Sequence, residues 1–303
     1  MKLRLLPTLL ILGLLVAAPL FAQTPTADLN ALVTRIKTKL GEGKRTAADF
    51  AEELASFETL RAKYQDQKTD DVAQILFMQA TLHGEVFEDA VKAKELFTRL
   101  KTDFPDSKQG KSADQVIAAL EARAQAAAAQ QALVGQPAPE LHFKWSNRAG
   151  LTKLSELKGK VVVLDFWATW CGPCVASFPN VRELAAQYQG TDVVIVGVTS
   201  LQGAVMGLEP ARIDTKDDPK KEFALMTDYI KAKNITWTIA FSDEPVFNPA
   251  YGITGIPHMA IIAPDGTVRH TGLHPAMPHA EKQEKINAIL KEFGKVAPAT
   301  SPN

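Results

Sequence analysis

The chain has 303 residues, with 34 basic and 34 acidic side chains and no net charge, long enough for about two domains of roughly 100 to 200 residues each. Balanced charge without a basic tract argues against nucleic acid as a partner. Two cysteines in all exclude a disulfide-stapled scaffold and leave chemistry as the reason for having them.

At the N-terminus, Lys2 and Arg4 precede an apolar stretch from Leu9 to Leu15, followed by Ala17-Ala18-Pro19-Leu20-Phe21-Ala22 and then polar Gln23-Thr24-Pro25-Thr26. A cationic start, an apolar middle and small residues at the exit predict a signal peptide over residues 1–22, cleaved after Ala22. A retained membrane anchor is the alternative, because the apolar segment approaches the roughly 17 residues needed to span a bilayer. No cysteine stands at the junction to carry a lipid. The mature protein is therefore expected to be periplasmic or secreted, in an oxidising space where a dithiol stays reduced only with an electron supply.

Residues 28–131 are rich in Ala, Lys, Glu and Leu, with no strand-like alternation, and are predicted as an all-α domain. Phe50, Leu54, Phe57 and Tyr64 share one helix face; Val72, Ile75, Leu76 and Leu82 share the next. A third segment with Ala90, Ala93, Phe97 and Leu100 stops at Phe104-Pro105-Asp106-Ser107. The spacing of Ala93, Phe97 and Pro105 is similar to a tetratricopeptide-type repeat, although Gly84 stands where an aromatic is usual and one unit alone fits. A small bundle burying its own faces is the alternative to a peptide-binding groove. Ala122 to Ala132 reads as a connecting helix, with a boundary at Gly135-Gln136-Pro137-Ala138-Pro139.

Beyond it, strands and helices alternate. Strands are predicted at Leu141–Trp145, Val161–Trp167, Asp192–Thr199 and Trp237–Phe241, with a hairpin, Met259–Ala263 and Thr267–Thr271, turned by Pro264-Asp265-Gly266. Helices are predicted at Gly172–Gln189, Lys220–Lys233 and Ala280–Phe293. The first strand, helix and strand after residue 160 make a βαβ unit. Polar Leu201–Pro219 reads as a surface insertion, and residues 295–303 are too poor in large apolar groups to pack and are expected to be disordered.

Trp170-Cys171-Gly172-Pro173-Cys174 holds both cysteines and follows directly on the strand Val161–Trp167. A Cys-X-X-Cys pair at a strand-to-helix junction points to a redox centre, since a disulfide across two residues closes too small a loop to restrain the unfolded chain. Asp165, six residues upstream in an apolar strand, is costly to bury charged, so its pKa should be raised. Trp167 reads as core, and Trp170, next to Cys171, as flanking a substrate surface.

The second region resembles the thioredoxin superfamily, and within it the TlpA/ResA-like branch of extracytoplasmic thiol-disulfide oxidoreductases. The resemblance rests on Lys158-Gly159-Lys160 leading into the strand, on Trp170-Cys171-Gly172-Pro173-Cys174, and downstream on Tyr251-Gly252-Ile253-Thr254-Gly255-Ile256-Pro257; it covers residues 134–294. It implies an α/β thioredoxin fold, a mixed central sheet flanked by helices, following the all-α domain. Cys171 would then be the nucleophile, opening a helix whose free amides and dipole stabilise a thiolate, with a pKa of about 7 in thioredoxin against about 8.5 for free cysteine. Cys174 would be the resolving cysteine of a Cys171–Cys174 redox disulfide, with Asp165 as its proton relay. Ile256-Pro257 would be a cis-proline dipeptide offering its backbone to an extended substrate. The Gly172-Pro173 pair accompanies reducing members of the superfamily, at about −270 mV for thioredoxin.

Implied partners are protein dithiol or disulfide substrates, apocytochrome c among them, and an electron-donating membrane thiol reductase; no cofactor and no metal are implied. One departure stands out: thioredoxin places a lysine on the neighbouring strand, and Val193–Thr199 contains no cation.

Other chemistries fit less well. A peroxiredoxin would carry threonine three residues before its reactive cysteine, whereas Thr169 is two before Cys171. Zinc needs about four ligands; His270 and His274 stand at helical spacing with His279 beyond, but Gly272 and Pro275 argue against a helix there. His258 reads as an exposed strand residue rather than a titrating group or a copper ligand. The rival of another class is a partner-binding helical scaffold with a thioredoxin-like docking domain, which would be expected to lose a cysteine, the acid or Ile256-Pro257.

Overall fold

The computed structural model describes residues 24–298; the predicted signal peptide, residues 1–22, lies outside them. The chain parts into two units at residue 120. Among the described residues, no helix is long and apolar enough to cross a membrane.

The first unit holds helices α1 (Pro25–Gly41), α2 (Ala51–Lys63), α3 (Asp70–Glu85), α4 (Ala90–Asp103) and the start of α5 (Lys108–Leu133). Side-chain oxygens of Thr24, Thr69 and Asp89 accept backbone amides one turn into α1, α3 and α4, so each start is capped by a residue suited to it. Phe50, Phe57, Tyr64, Val72 and Ile75 build one apolar cluster with α1, and Leu76, Ala93, Phe97 and Leu100 build another between α3 and α4. At Gly84 a Cβ would lie 3.3 Å from that of Ala93. The α3 to α4 approach is thus tight at this point.

The second unit is built on a six-stranded sheet of order β1-β6-β3-β2-β7-β8. Its strands are β1 (Phe143–Ser146), β2 (Val161–Phe166), β3 (Val193–Thr199), β6 (Thr238–Ser242), β7 (His258–Ile262) and β8 (Val268–Leu273). β2 runs parallel to β3, and β3 to β6, while β7, β8 and β1 are antiparallel to their neighbours. This is the mixed, helix-flanked sheet of a thioredoxin fold. β2 is buried along its whole length, which explains its lack of polar alternation. Val163 and Trp167 pack into one core and Val162, Leu164 and Phe166 into the other, on opposite faces of the sheet.

The helix predicted over 172–189 is broken into α6 (Gly172–Ala176) and α7 (Phe178–Gln187). Pro179 has no N–H to offer the carbonyl one turn back. Helices α8 (Pro219–Ala232) and α9 (His279–Glu292) complete the unit. The 201–219 insertion forms a small antiparallel ribbon, β4 (Ala204–Val205) with β5 (Ile213–Asp214). The tail expected to be disordered is ordered where it begins, since Lys295 Nζ bonds Asp192 at 2.9 Å and Ala297 packs on the core.

Candidate active site

β2 leads to the cysteines. Trp167 is the last residue tied to the sheet, its N–H donating to Val198 O at 3.0 Å, and Cys171 then caps the start of α6. Pro173 lies in the first helical turn, where no amide partner is required of it. Cys171 and Cys174 are joined by a disulfide. The Cys174 N–H donates to Cys171 Sγ at 3.2 Å. An amide aimed at that sulfur stabilises it most when it carries negative charge, which favours thiolate on reduction. Cys171 is 4% exposed and Cys174 is 1% exposed, both within the core.

Asp165 lies in β2 opposite Gly197 of β3 and Met259 of β7. Strand alternation puts it on the same side as Trp167, facing the core that contains both cysteines. It is 2% exposed, and Oδ1 has no hydrogen-bond partner. Burial pushes its pKa up to about 7, with Lys282 pulling the other way. The cation absent from β3 is therefore supplied by α9. Lys282 is 1% exposed, donates to Met277 O at 3.1 Å and to Pro275 O, and has its own pKa lowered by burial.

Beside the cysteines, Ile256-Pro257 is a cis peptide, and Ile256 O lies 3.7 Å from Cys171 Sγ. Trp170 is 44% exposed, and so is Phe247, whose ring centroid is 6.1 Å away. Two solvent-facing aromatics next to a reactive sulfur offer apolar contact to a polypeptide. Trp167 is wholly buried and stacks on Tyr229.

His258 is not the exposed strand residue that its sequence context suggested. It is 5% exposed, because β7 lies between β2 and β8. Its Nε2 accepts from Gly272 N–H at 3.4 Å and pairs with Thr271 Oγ1 at 3.0 Å, and burial lowers its pKa to about 4. Burial thus favours the neutral ring. Of the other histidines singled out in the sequence, His274 Nδ1 accepts the Ala276 amide and His279 Nε2 pairs with Gln187. Among the described residues, no group of three or more His, Cys, Asp or Glu is placed to hold a metal ion.

A brace behind the cysteine loop lies outside the motifs read from the sequence. Gln202 Oε1 accepts both the amide and hydroxyl of Thr169, at 2.8 and 2.7 Å, and Thr169 Oγ1 accepts the Met206 amide. Glu222 of α8, 1% exposed, accepts from Gln202 N, Gly203 N and Thr215 Oγ1. One buried carboxylate thus pins the insertion, and the insertion pins the residues before Cys171. Thr169 is occupied in this role.

Comparison with known proteins agrees with this geometry. The Redoxin family matches residues 133–290, a little over half of the chain. Thiol-disulfide oxidoreductase ResA of Oceanobacillus iheyensis is 29% identical over 138 residues, 45% of this chain and 62% of that protein. ResA of Bacillus subtilis is 28% identical over 136 residues, 44% of this chain and 64% of the relative. The chain thus spans less than two thirds of the length of either relative. A solved thiol-disulfide isomerase from Corynebacterium glutamicum is 20% identical with a TM-score of 0.39, over 51% of this chain and 96% of that one. By its sheet, its disulfide at the strand-to-helix junction and its match from residue 133 to 290, the chain belongs to the Redoxin family, as a ResA-like member of the thioredoxin superfamily.

Proposed function

We propose that the protein is a thiol-disulfide oxidoreductase that reduces disulfides of proteins outside the cytoplasm, apocytochrome c among its candidate clients. The observation that carries this is Cys171 Sγ, which receives the Cys174 amide, lies beside the Ile256 carbonyl and belongs to the same core that buries Asp165. In the reduced protein the Cys171 thiolate attacks one sulfur of the client disulfide, forming a Cys171–client bond and expelling the other client sulfur as thiolate. Asp165 takes the proton of the Cys174 thiol; the Cys174 thiolate attacks Cys171 Sγ and releases the second client sulfur. Two electrons pass to the client, and the Cys171–Cys174 disulfide remains. A donor dithiol, here assigned to a membrane thiol reductase, restores the pair by the reverse exchange. Ile256-Pro257 and Trp170 hold the client during exchange.

The first unit is assigned to partner selection. It carries a cavity of about 340 Å³ lined by Glu58, Arg61, Lys68, Arg99, Asp103 and Phe104. Extracytoplasmic placement rests on the leader expected from the sequence of residues 1–22. Replacing Cys174 with alanine should stall the reaction at the mixed disulfide and allow the client to be identified by mass spectrometry. Persistent disulfide reduction by a Cys171→Ser variant would remove Cys171 from the nucleophile role.

A further inference from the structure

The stretch 121–133 of α5 belongs to the second unit, and it sits against the turn that precedes the cis-proline and against β8, which pairs with the strand that follows it. Gln130 Nε2 donates to Gly252 O at 2.7 Å. Gly252 ends the turn Pro249–Tyr251 with a φ of +65°, five residues before Pro257. A Cβ there would meet Ala126 O at 2.7 Å and Gln130 Cγ at 2.9 Å. On the other side, Gly272 of β8 has a φ of +71°, and a Cβ would meet Gln130 Oε1 at 2.6 Å. Two glycines are therefore needed to admit one glutamine, each in a backbone conformation that side chains disfavour.

Both contacts lead to the same dipeptide. From Gly252 the chain passes through exposed Thr254 and Gly255 to Ile256. From Gly272 the amide bonds His258, the residue after Pro257. Thr254 and Gly255 have little around them to fix where the Ile256 carbonyl points; Gln130 fixes the loop one turn earlier and lies against the strand that holds His258. Alanines at 122, 126 and 129 present no bulk, and a groove of about 280 Å³ runs between this face and Pro249–Thr254.

We infer that Gln130 is a positioning residue for client disulfide exchange: it holds the cis-proline loop so that the Ile256 backbone edge is ready to receive a polypeptide beside Cys171. The inference rests on the oxidoreductase reading and adds α5 to the machinery. Exchange with a small disulfide needs Cys171 but no backbone edge, so Gln130 should matter only for protein disulfides.

The test compares wild type, Gln130→Ala and Gln130→Glu in the full-length protein, reduced with dithiothreitol. Glutamate keeps the length of the side chain but cannot donate to Gly252 O. Both variants should lose about fivefold in kcat/KM for insulin disulfides, through KM, matching the net worth of one hydrogen bond of about 1 kcal/mol. Both should keep the wild-type rate with the small disulfide DTNB and the wild-type Tm, and amide exchange should quicken at 252–256. Unchanged insulin kinetics in both variants would overturn the inference, as would insulin and DTNB rates falling together with Tm. A wild-type protein inert towards both disulfides would instead bring down the oxidoreductase reading itself.

Discussion

Asp165→Asn removes the buried acid of β2, on the side that faces the cysteines. In the folded protein this carboxyl holds its proton up to a pH of about 7, against 3.8 ordinarily. Between those values the native state binds a proton that the unfolded chain has released, so stability falls as pH rises through the window. At about 1.4 kcal/mol for each tenfold change in proton affinity, the loss approaches about 4 kcal/mol above pH 7. His258 works the other way: with its pKa lowered to about 4 from 6.5, the unfolded chain binds its proton first, and stability falls as pH drops through that range. The two trends oppose each other in the wild type and flatten its curve. Asparagine keeps the His258 contribution and deletes the other, so the variant minus wild-type difference isolates Asp165.

The assay is guanidinium unfolding of the oxidised proteins from pH 4 to 8.5, followed by tryptophan fluorescence. All four tryptophans, Trp145, Trp167, Trp170 and Trp237, belong to the second unit, so the signal reports the sheet that contains Asp165. The stability difference in favour of Asp165→Asn should grow by a few kcal/mol between pH 4 and 7 and then level off. A constant offset attributable to the amide does not matter. A difference that does not change with pH would refute the placement of Asp165 as a buried, proton-holding acid.

Lys282→Met removes the cation that opposes this shift, and the same measurement made in that background should show the levelling-off moved to higher pH. Glu222→Ala leaves the Gln202 and Gly203 amides and the Thr215 hydroxyl without their acceptor; calorimetry should show a loss of about 2 to 4 kcal/mol, and limited proteolysis should cut first within 201–215. Replacing Trp170 and Phe247 together with alanine should raise KM for a protein disulfide about tenfold, at about 1 to 2 kcal/mol for exposed aromatics at a contact surface, with the DTNB rate unchanged.

The strand positions and the cysteine junction were legible because each rests on local pattern. Val161 to Phe166 has no polar alternation, and a Cys-X-X-Cys pair marks its own place. Lys282 and Glu222 were harder, yet each left a trace. Lys282 falls on the apolar stripe of α9 with Ile286, Ile289 and Leu290, and Glu222 on that of α8 with Met226 and Tyr229. A charge at a core position of an amphipathic helix asks for a buried partner; what the partner is depends on which strand or loop the helix covers, and spacing does not say. His258 misled because burial of β7 is set by β8 outside it. Phe247 and Gln130 gave no signal, since an aromatic in a loop and a glutamine in an alanine-rich helix acquire meaning only from what folds beside them.

The Glu222 brace also bears on how such proteins diversify. All three of its donors, Gln202, Gly203 and Thr215, sit at the base of the insertion, while Met206 and most of the residues up to Asp214 face solvent. The stretch 209–212 at the tip is exposed and takes no part in the hydrogen bonds that hold Thr169, so its composition can change without disturbing that brace. That makes 209–212 the part of the loop that can be exchanged while the carboxylate latch and the Met206 contact to Thr169 stay in place.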